Sequence, residues 1–453
     1  MKHAFFASLL LAPFITHASL TGYKGDILHF TGDPQEKIQS RHYIHNGLLL
    51  VKDGYIVDVG SSTAMQAKYH PDQIIDYSGK IISPGFVDTH VHFPQIEMTA
   101  SYGKQLLDWL DDYVFPTEIK FSAPEHATIY AGKFIDELIN NGTTTALVFA
   151  TSNPVSVDAL FSKALGKNMR LISGKVLMDR NAPAPLLDTP ETAYQQSKML
   201  IEKWKNKGRL GYAVTPRFAP TSSEAELRVA GRLLREYPDV WLQTHLAENW
   251  QEVSWVKTLF PWSKSYLDVY RHYGLVTPKS VFAHSVHVSD ADFQILATLH
   301  SSVAFCPLSN LFLGSGLFNL EQSQKNQVKT GLGTDVGGGT SLSMLKVMGG
   351  AYNVTQLRKA FTETPENIHP LDPMENWYMA TLGGARALSL DHVIGSFTPG
   401  KEADFIVINP QSDNALKIRT ENSKSVESKI FAIEMMGDDR TIEHTYIMGE
   451  KVK

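Results

Sequence analysis

The chain has 453 residues, 43% of them apolar and 20% charged, enough to bury the core of one big domain plus a smaller one, which excludes a disordered or fibrous protein. With 47 acidic against 42 basic residues the net charge is −5, and no basic run is longer than a few residues. The field of a nucleic-acid binder is therefore missing, and a small-molecule partner is expected instead.

Lys2 and His3 precede an almost wholly apolar run from Ala4 to Ile15, and Thr16-His17-Ala18 then fits a small-residue cleavage rule. Residues 1–18 read as a signal peptide, with an apolar extension or a misplaced start as the alternative. At about 12 apolar residues the run is too short to span a bilayer. Export to the periplasm or beyond is expected if it is cleaved. No later segment reaches membrane-spanning length.

From Leu20 to Ile82 the pattern is short strands and turns. Asp26 to Phe30 and Gly47 to Val51 are apolar runs, and Lys52-Asp53-Gly54 reads as a turn into Tyr55 to Gly60. Similar runs return at Phe405 to Ile408 and Thr445 to Met448. Residues 20–82 and 388–453 are therefore expected to form one small β-sandwich beside a central domain spanning 83–387.

That domain opens on Pro84-Gly85-Phe86-Val87-Asp88-Thr89-His90-Val91-His92-Phe93-Pro94-Gln95. Two histidines separated by one residue on a strand point to the same side, as a metal would need. Alone, the pair reads equally well as two histidines hydrogen-bonding locally at a strand end. Leu106, Leu107, Trp109, Leu110 and Tyr113 then form an apolar helical stripe, read mainly as core packing, with Trp109 also suited to a pocket wall.

Beyond Pro124, strands and helices alternate. Strand candidates are Thr143 to Phe149, Arg170 to Met178, Leu210 to Phe218, Val240 to Leu246, Ser280 to Val286, Ser302 to Cys306 and Val328 to Asp335. Between them, Pro124 to Asn140, Ala193 to Lys205, Glu224 to Tyr237 and Ala291 to His300 carry apolar residues at helical spacing. With the His90 strand this makes eight β-units. Eight βα repeats in about 300 residues predict an α/β fold, a (β/α)8 TIM-like barrel whose chemistry sits at the C-terminal strand ends. There, His245, His284 and Asp335 each end an apolar run. Any one of 17 histidines could fall so by chance; together with His90 and His92 they point to a shared metal site. The single cysteine, Cys306, excludes an internal disulfide framework and a Cys-rich metal site, and reads as a small buried residue near a strand end. Gly337-Gly338-Gly339-Thr340 lacks the Lys-Ser/Thr ending of a phosphate loop and reads as a turn.

These motifs, with Ile394-Gly395-Ser396-Phe397 and Pro399-Gly400-Lys401-Glu402-Ala403-Asp404, resemble the amidohydrolase superfamily. More narrowly, Phe93-Pro94-Gln95, Leu107-Asp108-Trp109-Leu110, Phe115-Pro116-Thr117-Glu118, Met178-Asp179-Arg180-Asn181, Thr215 to Thr221 and His245-Leu246-Ala247-Glu248-Asn249 are similar to the guanine deaminase family within it. The resemblance runs from about Gly25 to the C-terminus; only the signal-like start departs from it, since such proteins are usually cytoplasmic.

The resemblance implies a zinc hydrolase of guanine, a homodimer with one Zn2+ per chain. His90, His92, His245 and Asp335 would be the ligands, and His284 either a further ligand or a hydrogen-bond partner of the reacting water. Related binuclear sites carry a carboxylated lysine, commonly on the fourth strand, where this chain has Arg217; Lys175 on the third keeps a binuclear alternative open. Glu248 would act as general acid and base, and Asp335 would relay the water's proton to the departing amine. Arg217 is the candidate for the O6 acceptor, Gln95 for the purine edge and Phe218 for apolar contact, with His92, His245, Glu248 and Asp335 also facing the substrate. The plain alternatives are a rim salt bridge for Arg217 and a surface carboxylate for Glu248. Competing readings of the whole are a hydrolase of another aminated or halogenated heterocycle, such as an oxidised purine or a pterin, and a barrel scaffold without chemistry.

Overall fold

The computed structural model describes residues 19–103 and 105–453. The signal-like stretch 1–18 lies outside the described residues. No helix among the described residues is long and apolar enough to cross a membrane.

Both ends of the chain build one mixed sheet. Strands β1 (Thr21–Phe30), β2 (Arg41–Lys52), β3 (Tyr55–Ser61) and β4 (Gln73–Pro84) come from the N-terminal part. The barrel strands are β5 (Phe86–His92), β6 (Thr143–Phe149), β7 (Arg170–Gly174), β8 (Val176–Leu177), β9 (Leu210–Pro216), β10 (Trp241–Leu246), β11 (Ser280–His284), β12 (Ser302–Phe305) and β13 (Lys329–Leu332). After them, β14 (Phe405–Ile408), β15 (Ile442–Ile447) and β16 (Glu450–Lys451) return to the first sheet, whose order is β16-β15-β14-β4-β1-β2-β3.

The sheet's two ends are drawn together around Lys401 to Ala403, because Ile56 N donates to Lys401 O at 2.8 Å and both Ala403 N→Gly54 O and Gly449 N→Ala403 O span 2.8 Å. Its inner core holds Tyr23, Ile27, Leu49, Ile82, Phe405 and Tyr446. Phe405 stacks on Tyr446 at 4.3 Å between centroids, and Tyr23 meets Phe405 edge-on at 4.8 Å. Each such ring buried is worth about 1.5–3 kcal/mol. The first half of β4, Gln73 to Gly79, extends the sheet where no strand was expected, because it is largely exposed and lacks an apolar run. The helices Asn414–Glu421 and Val426–Met436, also unforeseen, sit between β14 and β15.

In the barrel, β5 to β13 run parallel, each βα unit burying its strand on both faces. Closure comes from Asp335 N→His90 O at 2.8 Å and His92 N→Val336 O at 2.9 Å, which return the end of the eighth unit to the first strand. The expected strand Arg170 to Met178 is two short ones. A Cβ at Gly174 would lie 1.8 Å from Ala213 O, and Lys175 N leaves the ladder to donate to Tyr212 Oη at 3.2 Å, so the pairing with β9 breaks there. The last strand is shorter than Val328 to Asp335, ending at Leu332, because the chain then bends to place Asp335 at φ 47°.

Candidate metal centre and substrate pocket

All five expected ligands meet at the C-terminal mouth of the barrel. One ligating atom each from His90, His245, His284 and Asp335 falls within 4.8 Å of the others, and all four residues are buried. His92 joins from the side, its Nε2 lying 3.2 Å from both His245 Nε2 and Asp335 Oδ1. Asp335 Oδ1 is 3.1 Å from His90 Nε2, and Asp335 Oδ2 is 3.6 Å from His284 Nε2.

The ring nitrogens behind the cluster are tied off. His245 Nδ1 meets Arg217 O at 2.7 Å and His284 Nδ1 meets Asn310 Oδ1 at 2.9 Å. As donors there, both rings turn an Nε2 lone pair toward the centre. His90 Nε2 is buried and has no hydrogen-bond partner despite the nearby carboxylate, so its lone pair is aimed at the space between. Ala247, Ser285 and Asp335 bend the rim with φ of 48°, 56° and 47°. Non-glycine residues in this region cost of order 1–3 kcal/mol each and cluster at functional sites.

Burial holds His90 below its ordinary pKa, lowers His92 to about 3, and, with His90 and His92 beside it, keeps His245 well below 6.5. Burial would push Asp335 up, but His284 and His90 hold it well below the usual carboxylate range. Neutral imidazoles around an anionic carboxylate are a donor set that suits a divalent transition metal. Burial, then the charge of Asp335, pushes the Glu248 carboxyl up. Glu248 Oε2 lies 3.3 Å from His284 Nε2, and its Oε1 accepts from Ser315 Oγ at 3.0 Å.

His92, Gln95, Arg217, Phe218, His245, Glu248 and Asp335 line one cavity at the mouth of the barrel. Leu106, Trp109 and Leu110 wall it, so this part of the apolar stripe does more than pack the core. Trp109 is fixed there by Nε1→Ser101 O at 3.1 Å. Gly338 reaches the cavity from the glycine-rich turn.

Arg217 is also in an ion pair, Nη1 to Glu118 Oε1 at 2.8 Å, with both side chains nearly inaccessible. The salt-bridge alternative for Arg217 and its place in the pocket thus hold together. Gln95 Nε2 lies 3.4 Å from the same Glu118 oxygen, and Gln95 Oε1 accepts from Gly337 N at 3.1 Å. Glu118, Asn310 and Ser315 were not singled out for roles in the sequence, because their partners are distant along the chain. Lys175, in contrast, is buried away from the histidine cluster, paired with Asp188 and donating to Val176 O at 3.3 Å. Its place on the outward side of the broken third strand removes it from the metal site.

The amidohydrolase family profile matches residues 81–452. A guanine deaminase of Escherichia coli K12 is 49% identical over 94% of this chain and 95% of its own length. Among solved structures, guanine deaminase from Bradyrhizobium japonicum superposes with a TM-score of 0.93 at 37% identity, over 96% of this chain and 99% of that one. The enzyme from C. acetobutylicum, solved with guanine bound in its active site, gives a TM-score of 0.88 at 30% identity, over 96% of this chain and all 100% of that one.

Proposed function

The chain belongs to the amidohydrolase family, and on that premise we propose that it hydrolyses guanine to xanthine and ammonia, a step of purine catabolism. The observation that carries the reading is the single pocket in which Glu248 and Asp335 face the donors Arg217 and Gln95. Acid–base groups and purine-reading groups share one enclosure.

We assign one zinc ion to the cluster, held by His90, His92, His245 and Asp335, with His284 as a fifth ligand or as partner of the reacting water. The orphaned His90 Nε2 and the tied-back Nδ1 atoms of His245 and His284 support the fit. When bound, zinc supplies Lewis-acid activation of water, lowering its pKa to about 7. The chain's own residues do the rest. Arg217 donates to O6 of guanine, Gln95 holds the purine edge, and Phe218 with the Leu106-Trp109-Leu110 wall excludes water. Glu248 delivers a proton to the ring nitrogen beside C2 as water adds there. Asp335 takes the water's proton and passes it to the C2 amine; as the C2–N bond breaks, Glu248 takes back a proton from the new C2 hydroxyl, which becomes the 2-oxo group, and ammonia leaves with xanthine behind. Asn310 keeps His284 in the tautomer that faces the site, and Ser315 holds Glu248 beside it.

The same reading divides the chain into a barrel over 83–387 and a small β-domain over 20–82 and 388–453, and takes the protein as a homodimer. The test of function is ammonia release by purified, zinc-loaded protein offered guanine, adenine, cytosine, an oxidised guanine and a pterin in parallel, with metal measured on the same sample. Turnover of guanine with about one zinc per chain is the expected result. Preference for another heterocycle overturns the substrate and keeps the hydrolytic centre.

A further inference from the structure

The helical turn Phe115–Ile119 has no part in the chemistry described above, yet it grips a residue that does. Phe115 and Glu118 stand three apart on it and so share a face. The guanidinium carbon of Arg217 lies 5.6 Å from the centre of the Phe115 ring, and its Nη1 donates to Glu118 Oε1 at 2.8 Å. The same oxygen accepts from Gln95 Nε2 at 3.4 Å.

Resting on the functional reading above, we propose that Glu118 is the positioning residue that makes this pocket specific for 6-oxo purines, by locking Arg217 and Gln95 into one plate of donors. A guanidinium free to rotate could present an edge, a face or nothing to the ligand. Held at Nη1 by Glu118 and over the Phe115 ring, Arg217 has only its remaining N–H groups for substrate. The Gln95 amide is fixed in the same way. Its oxygen is committed to Gly337 N and one side of its NH2 to Glu118, so what it can offer a ligand is a hydrogen. Both pocket residues therefore present donors, which match a carbonyl oxygen at C6 and unprotonated ring nitrogens and oppose an exocyclic amine at C6.

The carboxylate also decides how Arg217 can be tested. Glu118 Oε2 is buried with no partner, so Arg217→Gln strands a buried negative charge beside the pocket and confounds recognition with misfolding. Glu118→Gln keeps an acceptor oxygen and the side chain's shape while removing the charge that holds the guanidinium.

The experiment compares hypoxanthine, which carries O6, with unsubstituted purine, which lacks it, as competitive inhibitors of guanine turnover by full-length, zinc-loaded protein. In Glu118→Gln the inhibition constant of hypoxanthine should rise roughly tenfold or more and that of purine stay within about twofold, with KM for guanine rising more than kcat falls. Inhibition constants that rise together, or not at all, overturn the assignment. If Glu118→Gln does not fold, Phe115→Leu decides. It keeps the carboxylate and removes the ring under the guanidinium, so it should weaken hypoxanthine selectively, and an equal or absent effect on the two inhibitors overturns the proposal. A wild-type protein that does not deaminate guanine counts against the functional reading itself; one that does, with the inhibitor ratio untouched by the variants, counts against Glu118 alone.

Discussion

Ser315→Ala isolates one hydrogen bond of the acid–base pair. The Ser315 hydroxyl donates to Glu248 Oε1 at 3.0 Å and is 3% exposed as a residue. Its backbone is held independently, by Ser315 N→Asn310 O at 2.9 Å and by His287 Nε2 against Ser315 O at 2.7 Å. The flanking Gly314 and Gly316 adopt φ of 64° and 133°, and a Cβ at Gly316 would lie 3.1 Å from the His287 ring. The loop therefore keeps its course when the hydroxyl is deleted, and what is lost is a hydrogen bond to the proton-bearing carboxyl of Glu248, worth about 0.5–1.5 kcal/mol. At 1.36 kcal/mol per decade this corresponds to a kcat lower by roughly two- to tenfold, since Glu248 must be held in line as it transfers its proton. KM for guanine and the zinc content should change little, because the hydroxyl bonds Glu248 and none of the imidazoles. Steady-state ammonia release and metal analysis on one preparation decide the matter. A kcat within twofold of wild type, or a loss expressed wholly in KM, would refute the role given to Glu248's orientation.

Three further outcomes follow. Glu248→Gln should lower kcat by roughly 10²–10⁴-fold while leaving bound metal intact, and undiminished turnover would sink the proposed proton route. A strong chelator should abolish activity, zinc should restore it, and thermal unfolding should move to lower temperature in the chelated protein, since a ligand bound only by the folded state stabilises it. Burial raises the Glu375 pKa to about 7 from 4.5, with Gln35 Nε2 donating to its Oε1 at 2.7 Å. Its neutral form thus favours folding below pH 4.5, and that contribution is lost as pH rises through 7. Glu375→Gln keeps the neutral form, so in urea titrations its advantage over wild type should grow by about 2–3 kcal/mol between pH 5 and pH 8, and a constant difference would show that the carboxyl titrates normally.

The barrel was legible because its strands are short apolar runs, some of which end at or beside a histidine. His90, His92, His245, His284 and Asp335 could be placed on one rim from strand order alone, since the fold converts position at a strand end into position in space. The seven-stranded sheet was read at its apolar runs and missed at Gln73 to Gly79, where solvent on the strand removes the pattern. Arg217 was legible as a residue at the barrel's mouth, and it lines the pocket there. Its partner was not, because Glu118 lies 99 residues earlier, and the Phe115-Pro116-Thr117-Glu118 motif carries no sign of what it contacts. The same holds for Asn310 behind His284. A second layer of hydrogen bonds is specified by tertiary proximity, and local residue spacing carries no trace of it. Lys175 shows the converse. It lies on the strand before the one that commonly carries a ligand lysine, and a break at Gly174, visible only as a close approach to Ala213 O, turns it elsewhere.

The first sheet also sets the order in which the protein can be made. β4 pairs on one side with β1, which leaves the ribosome before it, and on the other with β14, whose register joins Phe405 to Pro84. During synthesis the N-terminal strands therefore wait with a bare edge until more than two-thirds of the polypeptide has followed. The barrel's seam is equally late, since His90 O receives its bond from Asp335 N. The first sheet cannot close before the whole barrel has been translated, and both modules depend on contacts between residues hundreds of positions apart. Such a topology folds slowly and exposes strand edges while it does so. Nascent chains stalled before Phe405 should accordingly be the species that chaperones hold and proteases remove.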